Sequence, residues 1–479
     1  MSQVKTIFKN LSWLLISQII ASICGFIWTI LMARYLGVDK YGIIGFATSL
    51  TGILTVFTDL GISTHIVRHI ATDNDSAPKY LGNAIPLKSI FSVVMIIITL
   101  ISLIVLKADE LTINITLLFA IEISMKSLIG LINGSFQAFE EGKYQGIGNT
   151  ILNVLLLIFI IITIFTDLGI YGIAISYIAS NFIALLYTSY ILRKNITKPK
   201  FELDLEFCKK ITLFSLPFAA TSILYSIYYS IDMVMLTNMV GNYATGIYNA
   251  TYKLISVLTL FYSVYGAVIF PVMSKFFKND KRLLIISYEK SIKYLMLLMI
   301  PLAVGTVFYS LDILQLFYGH EYDAAAPVLS ILIWTVCLLF IAGAGNVLLN
   351  ASHKEMTVTK IYVIAAAFNF VLNLFMIPNY SYIGAAVSTV LSDALIVIIQ
   401  TYIIIKIGQK PNKKLIIDLL KIIIGSAILG VALYLLHLNM WIAIPVGLVI
   451  YLIVLVCLRV FDSEDKFIIQ EIIGKKIIK

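Results

Sequence analysis

The sequence predicts an all-α integral membrane protein with about fourteen transmembrane helices. The chain is 60% hydrophobic and only 13% charged, whereas soluble domains average about 45–50% apolar and about 25% charged residues. The apolar excess falls in separate runs of roughly 18–25 residues, the length that crosses a hydrocarbon core. These runs lack a period of two and are too long for the strands of a membrane barrel. The chain therefore fits a helical membrane bundle.

Short polar clusters separate the predicted spans. The first six spans are 11–34, 43–66, 84–106, 112–135, 146–166 and 169–191. The next six are 212–236, 245–273, 292–317, 326–350, 358–377 and 382–405. Two more follow at 415–437 and 441–458. After these, isoleucines on one helical face of residues 461–479, with lysines nearby, suggest either an amphipathic cytoplasmic tail at the membrane surface or a frayed basic end.

The distribution of Lys and Arg predicts the orientation. With the N-terminus in the cytoplasm, the predicted outer side carries only Arg34, Lys40 and Lys107. Lys126 and Lys253 lie within spans, and we assign the other basic residues to cytoplasmic segments, the longest being 192–211 and 274–291. Cytoplasmic loops of membrane proteins are rich in Lys and Arg. We therefore expect a multi-pass protein of the plasma membrane with both termini in the cytoplasm.

The charge and cysteine patterns indicate few partners besides lipid. The net charge of +9 is explained by the cytoplasmic segments, so we expect no nucleic-acid partner. The four cysteines form no CxxC pair, which predicts neither a disulfide framework nor a metal site. No GxxxxGK[ST] motif is present, which argues against a built-in ATPase. We expect no cofactor and no catalytic residues.

Two stretches of the sequence repeat after six spans. The repeated stretches are Leu36-Gly37-Val38-Asp39-Lys40-Tyr41-Gly42-Ile43 and Val240-Gly241-Asn242-Tyr243-Ala244-Thr245-Gly246-Ile247, and the match continues to Leu50 and Leu254. A second match pairs Gly172-Ile173-Ala174-Ile175-Ser176 with Gly384-Ala385-Ala386-Val387-Ser388. An even number of spans separates the copies, so the halves have the same orientation. This predicts parallel repeats about an axis along the membrane normal, as in transporters that alternate access by rocking.

The repeat gives the predicted domain organisation. Residues 1–196 form one six-helix lobe and residues 212–406 the other, joined by a basic cytoplasmic linker at 197–211. Two extra helices occupy 407–460, and the tail occupies 461–479. Substrate sites in such transporters usually lie between the repeats, near the middle of the membrane. The sequence therefore predicts a two-lobed transporter.

The same residues resemble a known family. The similar stretches are Ala33-Arg34-Tyr35-Leu36-Gly37, Tyr41-Gly42, Asp59-Leu60-Gly61, Arg68, Ser230-Ile231-Asp232, the run from Gly246 to Leu254, and Phe270-Pro271. Together they resemble the O-antigen and polysaccharide flippases of the multidrug/oligosaccharidyl-lipid/polysaccharide (MOP) superfamily, over roughly residues 5–406. The resemblance implies a V-shaped pair of six-helix lobes. It also implies translocation of a polyprenyl-diphosphate-linked glycan from the inner to the outer leaflet for the cell envelope, with polysaccharide assembly machinery as a further partner.

Two other functions compete with the flippase. A multidrug antiporter of the same superfamily usually has twelve spans and a more acidic lobe. A membrane glycosyltransferase would need catalytic carboxylates and a sizeable outer loop, but the outer segments here are short and contain no DxD motif. The last two spans and Lys253 favour the flippase.

Ionisable residues within spans are the candidate substrate ligands, because a charge at that depth is costly and usually faces protein or water. Lys253 lies about ten residues below the outer end of its span, roughly 15 Å deep. It is our first candidate for the substrate phosphates, and an ion pair with Asp232 is the alternative. Glu122 and Lys126 share a helix face at i, i+4, either as a structural pair or as a charge switch in a cavity.

Aromatic and basic side chains complete the candidate substrate site. Tyr225, Tyr228, Tyr229 and Asp232 lie on one face of span seven, and Tyr248 and Tyr252 continue the pattern on span eight. Such faces stack on sugar rings, although helix packing and an interfacial aromatic belt are the alternatives. Arg68, at the inner end of span two, is a candidate contact for the substrate headgroup or an ordinary cytoplasmic cation.

Overall fold

The computed structural model of the chain describes residues 2–202 and 204–461, with the side chains of 2–9, 11, 216–225, 260, 263, 264 and 267 left out. Within these residues every regular element is a helix. The first eight helices are α1 (Ser2–Leu54), α2 (Val56–Asp59), α3 (Ile62–Thr72), α4 (Ala77–Val105), α5 (Glu110–Ala138), α6 (Gly142–Thr166), α7 (Gly169–Ile191) and α8 (Leu205–Met239). The next eight are α9 (Asn242–Ser256), α10 (Thr259–Asn279), α11 (Lys281–Phe308), α12 (Ser310–Phe317), α13 (Ala326–Ala351), α14 (Glu355–Lys406), α15 (Lys413–Leu436) and α16 (Met440–Cys457).

The all-helical membrane fold is confirmed. In the described part of the chain, 10 helical stretches are long and apolar enough to cross a membrane. Two of them, Ser12–Asp59 and Glu355–Lys406, are 48 and 52 residues long and each covers two predicted spans. Their halves meet at non-helical backbone, at Gly37 in α1 and at Ser381 in α14. The count of fourteen stays a prediction, and the predicted amphipathic helix lies almost wholly outside the described residues.

Three predicted spans are wrong in their continuity. Span 43–66 is interrupted between α1 and α3, where Leu60 and Gly61 adopt left-handed backbone. Span 245–273 is divided between α9 and α10 at residues 257–258, and span 292–317 is divided between α11 and α12 at Tyr309. The predicted cytoplasmic loop at 274–291 is also mostly helical, because α10 continues to Asn279 and α11 begins at Lys281. Broken helices inside membranes are tolerated where protein or water satisfies the freed backbone groups.

The chain forms two compact units. Unit 1 comprises Met1–Val257 and Phe370–Ala385, and unit 2 comprises Leu258–Asn369 and Ala386–Lys479. In unit 1, one apolar core joins α3, α4 and α5 around Ile66, Leu81 and Leu131, all fully buried. The linker after α7 is held to α4, since the Lys200 N–H donates to the carbonyl oxygen of Pro78 at 2.9 Å.

Unit 2 is held by buried polar contacts between its helices. The Lys293 ammonium on α11 lies 3.0 Å from the Asp418 carboxylate on α15, and both side chains are buried. Asn346 on α13 donates to the Tyr362 hydroxyl at 3.0 Å and accepts from Gln400 at 2.6 Å. Buried polar groups need such partners to avoid the cost of lost hydration. These contacts fix α11 against α15 and α13 against both halves of α14.

The two repeated stretches contact each other within unit 1. A β-carbon at Gly42 would lie 1.9 Å from the carbonyl oxygen of Asn242, and one at Gly246 would lie 2.0 Å from that of Val38. In the repeat, Gly42 corresponds to Gly246 and Val38 to Asn242. The contact is therefore reciprocal, as two-fold symmetry requires. Small residues of this kind allow membrane helices to approach closely.

A third contact, together with the first two, gives the relative direction of the two helices. A β-carbon at Gly45 would lie 2.9 Å from the Asn249 side-chain nitrogen, and Gly45 and Asn249 occupy equivalent positions of the repeat. The contacts advance along α1 from Val38 and Gly42 to Gly45, and along the partner from Asn242 and Gly246 to Asn249. The second half of α1 and α9 therefore run parallel. Both helices also end at nearly equivalent positions, Leu54 and Ser256. The extension of this symmetry to residues 1–196 and 212–406 stays a prediction.

Candidate functional site

Two lysines of unit 1 lie within predicted membrane spans and interact through their charges. Lys253 occupies the last turn of α9, and Lys126 lies on α5. Both side chains are exposed, and their positive charges are close enough to repel each other. Among the described residues, neither ammonium group forms an ion pair or a hydrogen bond. This lysine pair brings two positive charges together, and the charge of the buried Glu122 carboxylate acts on Lys126.

The position of Lys253 on α9 favours a positive charge. Helix α9 ends at Ser256, so that Lys253 lies in its last turn, and a helix C-terminus favours positive charge. The Ser256 hydroxyl donates to the carbonyl oxygen of Lys253 at 2.7 Å and so gives one of the last carbonyl groups of α9 a hydrogen-bond donor. Transporters use interrupted helices of this kind at their substrate sites.

Glu122 lies near Lys126 without pairing with it. The Glu122 carboxylate is buried and accepts a hydrogen bond from Asn181 of α7 at 2.9 Å. The charge of Lys126 acts on this carboxylate, but the described structure records no ion pair between them. The i, i+4 spacing thus brings the two groups together, while Asn181 supplies the direct contact and leaves the Lys126 ammonium exposed.

Asp232 is buried among hydrogen-bond donors and not beside Lys253. One of its carboxylate oxygens accepts from the Tyr248 hydroxyl at 2.8 Å, and the other accepts from Asn373 at 2.6 Å. Tyr252 stacks on Tyr248 with ring centroids 6.0 Å apart. Asp232 therefore joins α8, α9 and the part of α14 in unit 1. These hydrogen bonds indicate a structural role for Asp232, which holds α9 in place.

The tyrosines of the predicted face on α8 differ in their exposure. Tyr228 is buried like Asp232, whereas Tyr229 is 43% exposed, and the two rings meet edge to face. The side chain of Tyr225 lies outside the described residues. Of the predicted aromatic ligands, Tyr229 and the partly exposed Tyr252 are accessible.

Arg68 lies on a different part of unit 1 from the lysine pair. It is exposed on α3, next to a stack of rings. His65 stacks on Phe214 and His69 stacks on Tyr80, with centroids 6.0 and 5.3 Å apart. These contacts hold α3 against α4 and α8.

Lys88 is a buried membrane lysine that the sequence analysis missed. It lies inside predicted span 84–106 and is only 1% exposed, but we assigned it to the cytoplasmic side. Its ammonium pairs with Asp59 and donates to the Ser63 hydroxyl and the Ser127 carbonyl, both at 2.9 Å. The sequence signal that could have identified this lysine was its position, five residues into an apolar run. Since all three protons have acceptors, this group is structural.

The described residues contain no group of three or more His, Cys, Asp and Glu side chains that could hold a metal ion. The accessible candidate side chains described above, Lys126, Lys253, Tyr229 and Tyr252, are instead cationic and aromatic. Such a set can bind anionic and ring-bearing ligands.

Comparison with known proteins identifies the family. A profile described as "Polysaccharide biosynthesis protein" matches residues 7–277, more than half of the 479 residues. The chain belongs to this family. The resemblance noted from the sequence is thereby confirmed. A second profile, MatE, matches residues 217–375, which extends the relation to the wider MOP superfamily.

Individual relatives of this family member cover most of its length. The capsular polysaccharide biosynthesis protein CapF of Staphylococcus aureus is 26% identical over 82% of this chain and 98% of its own. The probable low-salt glycan biosynthesis flippase Agl15 of Haloferax volcanii is 22% identical over 81% of both chains. Among solved structures, the lipid II flippase MurJ in an inward closed conformation matches with a TM-score of 0.75 and 19% identity, over 92% of this chain and 97% of its own. The protein is thus a multi-pass membrane protein with a MurJ-like fold.

Proposed function

We propose that this protein is a flippase that moves lipid-linked oligosaccharide or polysaccharide repeat units from the inner to the outer leaflet. Relatives named as glycan flippases support the class of substrate. The proposed transport alternates access between the two predicted lobes, with both termini in the cytoplasm and with polysaccharide assembly machinery as a downstream partner.

The lysine pair is the observation that carries this proposal. A polyprenyl-diphosphate carrier bears one negative charge on each phosphate, and Lys126 and Lys253 offer two cations at one place. Without a ligand the two ammonium groups repel each other. A bound diphosphate would replace this repulsion by two attractive contacts, each of which is strong because both partners are charged. The pair therefore suits the diphosphate better than it suits a neutral sugar.

Exposed tyrosines supply a place for the glycan in this proposal. Tyr229 and Tyr252 are the accessible aromatic side chains of the predicted set, and aromatic rings present apolar faces to sugars. Asp232 and Glu122 act indirectly in the proposal, because both are buried. Asp232 positions Tyr248 and α9, and Glu122 holds α5 against α7 through Asn181.

A cation-coupled multidrug antiporter is the second candidate, since the MatE profile matches part of the chain. The lysine pair disfavours it, because many drugs carried by such antiporters are cationic and would be repelled. Efflux of a cationic dye at a rate unaffected by Lys126→Ala and Lys253→Ala would favour the antiporter.

The test is a flipping assay in proteoliposomes with a fluorescent polyprenyl-diphosphate oligosaccharide and a reductant that cannot cross the membrane. We expect Lys253→Ala and Lys126→Ala each to lower the flipping rate about 10- to 100-fold, the range for loss of one hydrogen bond to a charged group. Lys253→Arg should keep part of the activity, because the charge remains while its geometry changes.

Lys275→Ala is the matched control, because Lys275 is an exposed lysine of α10 outside the lysine pair. Its flipping rate should equal that of the unmodified protein. Gel filtration must show that all variants are monodisperse. Full activity of well-folded Lys126→Ala and Lys253→Ala proteins would refute the role of the lysine pair.

A further inference from the structure

Unit 2 contains a basic pocket that the proposed transport does not use. It has a volume of about 370 Å³ and lies where the first turns of α11 and α15 meet. Its charged lining residues are Arg282, Glu289, Lys290, Lys293, Lys410, Lys414 and Asp418. Five of these are basic and two are acidic, so the lining has an excess of three positive charges.

The acidic residues of this pocket are already engaged. Asp418 pairs with Lys293 at 3.0 Å, and the Glu289 carboxylate accepts from the backbone N–H of Asn412. Arg282 and Lys410 are exposed, and in the described part of the chain neither side chain has an ion-pair partner. The pocket therefore presents two unneutralised cations to a ligand.

Apolar residues adjoin these cations. Ile285, Ile286 and Leu415 contribute to the pocket wall. Immediately after Leu415, the side chains of Ile416, Ile417 and Leu420 are exposed on α15, a helix that is apolar enough to span a membrane. An anionic group and a hydrocarbon chain on one molecule would satisfy both parts of this surface. Basic pockets between transmembrane helices are suited to the headgroups of anionic lipids.

We infer that this pocket binds the phosphate headgroup of an anionic phospholipid, with its acyl chains along the exposed face of α15. A free phosphate would match the cations but would leave the apolar wall and the isoleucine face unused. The chain offers another anion, since Asp462, Glu464 and Asp465 follow Val460 in the sequence. Acyl chains lie beside an exposed apolar face of a membrane helix in any case, so the lipid is the better match, and the acidic segment is an outcome of the test.

The test measures lipid retention by the purified full-length protein, using native mass spectrometry after delipidation and addition of phosphatidylglycerol. We expect retention of phosphatidylglycerol well above that of phosphatidylethanolamine. The double variant Arg282→Gln with Lys410→Gln should weaken phosphatidylglycerol binding roughly 10- to 30-fold, since each cation near an anionic membrane surface contributes several-fold. The control, Lys275→Gln with Lys278→Gln, removes two exposed cytoplasmic-side lysines outside the pocket and should bind as the unmodified protein does.

Three outcomes would overturn the inference. Equal retention by the pocket and control variants would place the lipid elsewhere. Displacement of phosphatidylglycerol by millimolar inorganic phosphate would identify a headgroup-only anion site. Binding that occurs only after residues 462–479 are deleted would make the acidic segment of the chain the occupant. Because the readout is lipid binding, failure here would leave the flippase proposal intact, and failure of the flipping assay would leave this inference intact.

Discussion

At the scale of single residues, unit 1 contains two kinds of membrane lysine. Lys88 is buried and its three protons all have acceptors, on Asp59, Ser63 and Ser127. Lys126 and Lys253 are exposed and lack such partners among the described residues. The paired charge of Lys88 contributes to the fold, whereas the proposed role of Lys126 and Lys253 is to bind the substrate.

The Lys88 cluster provides a stability prediction. Lys88→Met should lower the free energy of unfolding by about 3–5 kcal/mol, because it leaves Asp59 as a carboxylate without its buried cation. The double variant Asp59→Leu with Lys88→Met should regain most of this loss, since no unpaired charge remains. Thermal unfolding of the purified protein in detergent measures both effects.

Lys107→Met is the control for this series, because Lys107 is exposed in the turn between α4 and α5 and should change stability little. A double variant that is no more stable than Lys88→Met would contradict the ion-pair explanation. The same series run for Lys253 separates the two lysine classes, since Lys253→Ala should leave the unfolding temperature nearly unchanged.

At the scale of elements, the second half of α1 and α9 form the clearest structural unit of the repeat. Their backbones approach so closely at Gly42 and Gly246 that a β-carbon would lie 1.9 or 2.0 Å from a carbonyl oxygen of the other helix. Gly42→Ala and Gly246→Ala should each force the helices apart and cost about 1–3 kcal/mol, as overpacking does. Because the two positions are equivalent, the two losses should be similar.

Gly130→Ala is the matched control on α5, because nothing lies within 4 Å of a β-carbon placed there. It should be neutral or stabilise the protein by about 0.5–1 kcal/mol through the better helix propensity of alanine. Unfolding temperatures measured together would contradict the close-packing argument if Gly42→Ala were as harmless as Gly130→Ala.

The helices also show what sequence patterns can predict. Apolar runs gave the position of α4 to α7 well, because hydropathy reports contact with lipid or protein. The breaks after Leu54 and Ser256 were not predicted, since the polar residues near them, such as Asp59 and Ser256, are too few to end an apolar run. The contacts that hold the segment after the first break come from a distant residue, since Lys88 pairs with Asp59 of α2 and donates to Ser63 of α3. For the same reason the spacing of Glu122 and Lys126 predicted their proximity but not the intervening role of Asn181.

At the scale of the whole molecule, the distribution of charge predicts how the chain crosses the membrane. Lys198, Lys278 and Lys413 in the predicted cytoplasmic segments are exposed, as are Lys40 and Tyr380 on the predicted outer side. The parallel arrangement of α1 and α9 is consistent with halves of the same orientation, because an inverted repeat would make these two helices antiparallel. The orientation of the whole chain in the membrane then has two alternatives, and one experiment distinguishes them.

Single cysteines in a background without the four native cysteines test this choice. In intact cells, a thiol reagent that cannot cross the membrane should label Lys40→Cys and Tyr380→Cys. It should label Lys198→Cys, Lys278→Cys and Lys413→Cys only after the membrane is opened, because segments rich in Lys and Arg remain in the cytoplasm. Labelling of all five positions after solubilisation is the control for accessibility. Labelling of Lys278→Cys in sealed cells would reverse the orientation. It would also place the basic pocket of unit 2 on the outer leaflet, since Arg282 lies in the first turn of α11 and Lys278 in the last turn of α10, just before it in the chain.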